Sequence, residues 1–254
     1  MSAEHAPGIA AERTDAVIFD LDGVVTDTAT VHAAAWKRLF DGYLRERAEA
    51  AGEPFRPFTE DDYRRHVDGK PRYDGVRSFL ASRGVELPEG DPSDPPERET
   101  VCGLGNRKND LFLAALAEEG PRAFPSTVEL VRGLEARGIR TAVISASRNT
   151  AAVLDAAGLG DLFRTRVDGV DADRLGLPGK PDPAVFLEAA RRLGVEPART
   201  AVVEDALAGV EAGRRGGFGL VVGVDRTGQS DALLEHGADV VVADLAELSL
   251  GGGA

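Results

Sequence analysis

The sequence predicts an α/β protein, a doubly wound parallel sheet interrupted by a helical insertion. Three observations carry this. The apolar run Val17-Ile18-Phe19 ends at Asp20 and leads into Leu21-Asp22-Gly23, as a buried strand ends in a turn. After Phe124 the periodic segments alternate between helix and strand, the alternation that builds parallel sheets. Between these two regions, residues 29–123 read as helices with few strand signals. A chain of 254 residues with 43% hydrophobic content can bury a large core and leave room for an insertion. The expected organisation is therefore a sheet core from 1–28 and 124–254, and a helical cap from 29–123.

The elements follow in order. The first strand ends at Asp20. Helical periodicity then covers 31–50, 59–67, 74–83 and 107–118, while the proline- and acid-rich stretch 87–99 reads as an exposed loop. Helices at 126–137, 150–157, 183–193, 207–214 and 231–235 alternate with strands at 139–145, 163–167, 200–204, 220–224 and 238–242. Runs such as Ala201-Val202-Val203 and Val240-Val241-Val242 suit strands buried on both faces. Segments 26–29 and 123–126 are the expected hinges of a lid that excludes water. Residues 1–13 and the glycine tail 251–253 are expected to be mobile.

The chemistry is expected where strands end. In open α/β sheets ligands bind at the carboxyl ends of strands, and Asp20 and Asp22, two apart on an extended segment, start on one side before Gly23 turns the backbone. One carboxylate can attack phosphorus or hold a cation while the other handles a proton. The same residue types also close strands through purely local hydrogen bonds. Three later segments end β-like runs with groups that phosphoryl transfer needs. Ser145-Ala146-Ser147-Arg148-Asn149 offers a hydroxyl and amides leading into a helix; Gly179-Lys180-Pro181-Asp182-Pro183 offers an ammonium in a chain with four lysines; Glu204-Asp205-Ala206 offers hard oxygens suited to Mg²⁺. Taken singly, Ser145 is also a strand-ending hydroxyl, Lys180 a turn lysine, and Glu204-Asp205 an acidic helix start.

As an ordered set, Asp20 to Thr28 with His32 and Trp36, then Arg107-Lys108-Asn109-Asp110, Ser145 to Asn149, Lys180-Pro181-Asp182-Pro183, and Glu204-Asp205-Ala206 with Ala208-Gly209-Val210 resembles the haloacid dehalogenase superfamily, in its β-phosphoglucomutase-like family, over residues 14–245. The resemblance implies that Asp20 is the nucleophile forming an aspartyl phosphate, with Asp22 as general acid and base. It implies that Ser145, Ala146 and Lys180 bind the transferring phosphoryl group. It also implies Mg²⁺ held by Asp20, Glu204, Asp205 and the backbone carbonyl of Asp22. Arg72 aligns with a cap arginine for the non-transferring phosphate; its other reading is a surface ion pair with Asp68 or Asp74. His32, Trp36, Arg148 and Asn149 complete the expected substrate-binding set, with packing an equal reading for Trp36, and Lys108 either assists there or covers surface. A second cap lysine of the mutases falls at Ala114, and the cap is longer than in compact mutases. Conversion of β-glucose 1-phosphate to glucose 6-phosphate is the favoured expectation, with a sugar-phosphate phosphatase as the alternative. A receiver-like signalling module is disfavoured by Asp22 and the insertion, and an idle regulatory domain by the intact motif set.

The net charge of −13 argues against nucleic acid and anionic membrane partners. A small sugar phosphate is the expected partner; a monomer is compatible with the sequence, which leaves the oligomeric state open. Cys102 is the sole cysteine, so no intramolecular disulfide can form. A charged start and the lack of a long apolar run make the cytoplasm the default expectation.

Overall fold

A computed structural model describes residues 8–251; the mobility expected of 1–7 and 252–254 falls outside them. The described residues divide into two compact units, 8–27 with 122–251, and 28–121.

The first unit is built on a six-stranded sheet. Its strands are β2 (Ala16–Asp20), β3 (Arg140–Ile144), β4 (Thr165–Val167), β5 (Thr200–Glu204), β6 (Leu220–Val224) and β7 (Val240–Val242). Their order is β4-β3-β2-β5-β6-β7, with every ladder parallel, so all carboxyl ends lie along one edge. The chain winds outward through β3 and β4, then returns to the other side of β2. That reversal puts a topological switch point between β2 and β5. Each residue of β2 and β5 is buried, which explains why these strands read as continuous apolar runs and not as alternating ones.

Helices cover the sheet because each offers one apolar stripe. In α8 (Ala184–Leu193), Val185, Phe186, Ala189 and Ala190 recur at helical spacing and pack with Ile18, Ile144 and Val202 in one core. Helix α9 (Leu207–Arg215) lies against β5 and β6, α10 (Ser230–Glu235) against β6 and β7, and α5 (Pro125–Glu135) against β3. Two short helices complete the layer, α6 (Thr150–Ala156) and α7 (Gly169–Leu175). The sequence reading missed α7, a seven-residue helix that depends on the Asp168 side chain accepting from Val170 N and Asp171 N.

The expected mobility of 8–13 and of Gly251 is corrected. Strand β1 (Gly8–Ala10) pairs in parallel with β8 (Ser249–Gly251), and Ile9 is buried, so one apolar side chain anchors a segment that polar neighbours made look loose.

The second unit has its own aromatic core, centred on Trp36, Phe40, Phe58 and Phe79. Its helices are α1 (Thr28–Ala51), α2 (Glu60–Asp62), α3 (Arg72–Ser82) and α4 (Val101–Glu119). Two expectations shift here. The single helix expected over 59–67 is a capped α-turn that widens into a π-helical turn at Tyr63–Val67, closed by Asp68 N donating to Tyr63 O. Helix α4 starts six residues before the expected 107, because Thr100 accepts from Gly103 N as its N-cap. No helix among the described residues is long and apolar enough to cross a membrane.

Candidate active site

Three strand ends of the first unit, those of β2, β3 and β5, and the loop between α7 and α8 bring the predicted groups together; Lys180, expected to end a β-like run, instead follows helix α7. Asp20 is the last residue of β2, and Leu21 N donates to Ile144 O, extending the pairing with β3 by one step. The chain then folds sharply: Val25 N and Thr26 N both donate to Leu21 O, and Gly23 N donates to Thr26 O. Gly23 takes φ +84°, a conformation open to glycine, and a Cβ there would lie 1.8 Å from Asp205 Oδ2. Two glycines thus make room for two acids, because a Cβ on Gly209 of α9 would lie 1.9 Å from Glu204 Oε1.

The hydrogen bonds separate the two aspartates by role. Asp20 Oδ1 accepts from Lys180 Nζ at 2.6 Å, and Asp20 Oδ2 accepts from Asp22 N at 3.0 Å. Asp22 Oδ2 accepts instead from Ser145 Oγ at 3.0 Å, and Ser145 Oγ in turn accepts from Ser147 N. Lys180 also donates to Glu204 Oε1, and its ammonium sits 5.5 Å from the centre of the Phe186 ring. Glu204 Oε2 accepts from Asp205 N and Ala206 N, both at 2.9 Å. The ammonium therefore joins β2 to β5 across the switch point, while the Ser145 hydroxyl joins β2 to β3.

Burial governs the charges. It pushes the Asp20 carboxyl well above the ordinary carboxylate range, with Glu204 and Asp22 adding to the rise and Lys180 opposing it. Burial works against the Lys180 charge too, but Asp20 and Glu204 outweigh it and hold the ammonium above its usual range. Asp20, Glu204 and Asp205 each offer an oxygen within 4.8 Å of the others, all three residues being buried. Lys180 pairs with Asp20 and Glu204, and the Asp205 carboxylate lies beside them. Hard oxygens in that arrangement fit a divalent cation such as Mg²⁺. The Asp22 carboxylate is not in this group, so any part it takes in holding a metal would fall to its backbone carbonyl.

The remaining expected residues are placed as follows. Ala146 lies in the loop after β3, whose next residue, Ser147, accepts through its carbonyl from Gly169 N. Asn149 N donates to Ser147 Oγ at the start of α6, and half-exposed Arg148 pairs with Asp173 at 3.3 Å. In the second unit, Arg72 opens α3 with its guanidinium 5.9 Å from the Tyr73 ring centre, and Asp74 is paired with Arg77. Trp36 is buried and stacked on Phe40. His32 stacks on Phe112 and meets Lys108 Nζ through Nδ1. Lys108 is buried, with its ammonium about 5 Å from the Trp36 and Phe112 rings, so the surface reading of Lys108 is corrected. Sequence reasoning missed Arg226 and Gln229, which follow β6 and donate to Gly23 O and Asp205 O. The signal was there: they sit just past the end of another apolar strand.

Buried carboxylates able to hold a cation lie beside a hydroxyl and an ammonium at the carboxyl edge of a parallel sheet, and together they form a candidate enzyme site. A model of the haloacid dehalogenase-like hydrolase family matches residues 14–217. The chain is 53% identical over 241 residues to a β-phosphoglucomutase of Mycobacterium bovis, covering 93% of this chain and 92% of that one. It is 34% identical to the β-phosphoglucomutase of Bacillus subtilis, with 92% of each covered. Among solved structures, the β-phosphoglucomutase of Clostridium difficile superposes with a TM-score of 0.71 at 27% identity, covering 93% of both chains. The chain belongs to the haloacid dehalogenase superfamily, in its β-phosphoglucomutase-like family.

Proposed function

We propose that this enzyme catalyses Mg²⁺-dependent phosphoryl transfer on a sugar phosphate, converting β-glucose 1-phosphate to glucose 6-phosphate through an aspartyl phosphate. The observation that carries the reading is the division of labour between Asp20, paired with Lys180, and Asp22, held by Ser145. An Asp20 carboxylate oxygen attacks phosphorus; the bond from phosphorus to the sugar oxygen breaks, and Asp22 gives that oxygen its proton. In the second half the roles reverse. Asp22 takes the proton of the acceptor hydroxyl, whose oxygen attacks the phosphoryl group, and the Asp20 carboxylate leaves. Ser145 keeps the Asp22 side chain aimed through both halves.

Lys180 and the amides after Ser145 serve the transferring group by position and charge, which is most of what a loose phosphoryl transition state asks for. Asp20, Glu204, Asp205 and the Asp22 carbonyl would hold Mg²⁺, which when bound offsets the repulsion between carboxylate and phosphate. To the unit 28–121 we assign selection of the sugar, with Arg72 gripping the non-transferring phosphate and His32 and Trp36 supporting the substrate; Arg148 and Asn149, in the first unit after β3, support it from there.

The test supplies β-glucose 1-phosphate with Mg²⁺ and a trace of the 1,6-bisphosphate, and follows glucose 6-phosphate and inorganic phosphate together. Glucose 6-phosphate forming much faster than phosphate is expected. Phosphate release alone would overturn the mutase reading in favour of a sugar phosphatase.

A further inference from the structure

The loop between β6 and α10 is built around one carboxylate. Asp225 Oδ1 accepts from Thr227 N at 3.1 Å, Gly228 N at 2.7 Å and Gln229 N at 2.9 Å, and Asp225 Oδ2 accepts from Ser230 Oγ at 2.5 Å. Asp225 N donates to Val242 O, fixing the loop to β7. Burial works to raise the Asp225 carboxyl, yet these donors hold it down at about 2. A loop so tied presents its other side chains from a fixed frame.

Two of those side chains reach the catalytic loops. Arg226 Nε donates to Gly23 O at 2.8 Å, Nη1 donates to Ala243 O at 3.3 Å, and the guanidinium carbon lies 3.8 Å from the Phe124 ring centre. Gln229 Nε2 donates to Asp205 O at 3.2 Å. One loop therefore grips the segment carrying Asp20 and Asp22 and also the segment carrying Glu204 and Asp205. The grip falls where the two segments abut, at the close approach of Gly23 to the Asp205 carboxylate. Phe124 N donates to Val25 O and Thr127 Oγ1 to Val24 O, so the stacked Arg226 also braces the far side of the 21–26 turn.

We propose that Arg226 and Gln229 are positioning residues that set the spacing of Asp20 and Asp205 for a single divalent cation. Arg226 also feels the Asp205 carboxylate electrostatically, and both side chains hold the two segments through backbone carbonyls. The inference rests on the proposed metal site, and it adds that the site's geometry is imposed from the loop after β6, outside the two segments that supply its ligands.

The experiment measures Mn²⁺ binding to the substrate-free protein by electron paramagnetic resonance, for the wild type, Arg226→Lys and Gln229→Ala. Both substitutions leave the local charge unchanged, so a change in affinity reports geometry. Each variant is expected to weaken Mn²⁺ binding about fivefold, the scale of one lost hydrogen bond, with the KM for β-glucose 1-phosphate unchanged at saturating metal. Folded variants whose Mn²⁺ affinity stays within about twofold of wild type, whatever their melting temperatures, overturn the proposal. Should Arg226→Lys fail to fold, Gln229→Ala decides alone, since it removes one contact from a half-buried side chain. A wild type that binds no Mn²⁺ overturns the metal site itself, a result distinct from equal binding by all three proteins.

Discussion

Lys180 Nζ lies 2.6 Å from Asp20 Oδ1, joining residues 160 apart in sequence, with both side chains less than a tenth exposed. The same ammonium donates to Glu204, which is fully buried. One cation thus compensates two carboxylates that the fold has taken out of water. Replacing it with an apolar chain of similar length leaves both acids without their counter-charge, the situation in which breaking a buried pair is most damaging. Lys180→Met is expected to lower stability by about 3–5 kcal/mol and to abolish turnover. Urea denaturation decides; a loss under about 1 kcal/mol would show that the pair contributes no more than a surface one.

The strand ends were legible because an apolar run stops where the chain leaves the core, and in this fold the candidate site lies where runs stop. Asp20, Ser145 and Glu204 were found this way, and the sheet followed from the alternation after Phe124. What each residue touches was not legible. Nothing local to Lys180 says that it pairs with Glu204 as well as Asp20, since the contact exists only once β2 and β5 are neighbours. Arg226 and Gln229 escaped for a different reason: they act on backbone carbonyls, which every residue has, so no side-chain pattern marks their targets. Ile9 shows the limit for short strands, where a single buried side chain decides the matter and no period can form.

Asp22 differs from Asp20 in its bonding, and its substitution should separate chemistry from fold. An amide oxygen at position 22 can still accept from Ser145 Oγ, so Asp22→Asn keeps the contact and removes the proposed proton carrier. Turnover is expected to fall by about 10²- to 10⁴-fold, with the melting temperature moving by less than about 3 °C. Near-wild-type turnover in a folded variant would remove Asp22 from the proton role.

Acid sensitivity should concentrate where carboxylates are held by arginine. The Asp171 carboxyl is pulled down to about 2 by hydrogen bonds from Arg192 and Arg174, and Glu188 to about 2 by Arg191 and Arg192. Their folded values lie below the unfolded ones, so the stability they contribute is present above about pH 4 and lost as pH falls toward 2. Arg192 serves both acids and also donates to Arg166 O, which ties α7 and α8 to β4. Arg192→Ala is expected to cost about 1 kcal/mol at pH 7, with the gap to wild type closing between pH 4 and 2. Thermal melts across that range test it; a gap constant with pH would assign the effect to packing of the arginine stem.

Gly23 and Gly84 both hold positive φ, +84° and +67°, but differ in what surrounds them. A Cβ on Gly84 meets nothing within 4 Å, whereas one on Gly23 would overlap the Asp205 carboxylate. Gly84→Ala therefore measures backbone strain alone, about 1–2 kcal/mol. Gly23→Ala carries that strain and must also move either Asp205 or the 21–26 turn, so its loss should exceed that of Gly84→Ala by about 1–3 kcal/mol. The added consequence is functional: Asp205 supplies one of the three oxygens of the acid cluster, and displacing it should weaken Mn²⁺ binding at least tenfold while Gly84→Ala leaves binding unchanged. Equal stability losses in the two variants, with Mn²⁺ affinity intact in both, would mean that the turn can shift without disturbing Asp205.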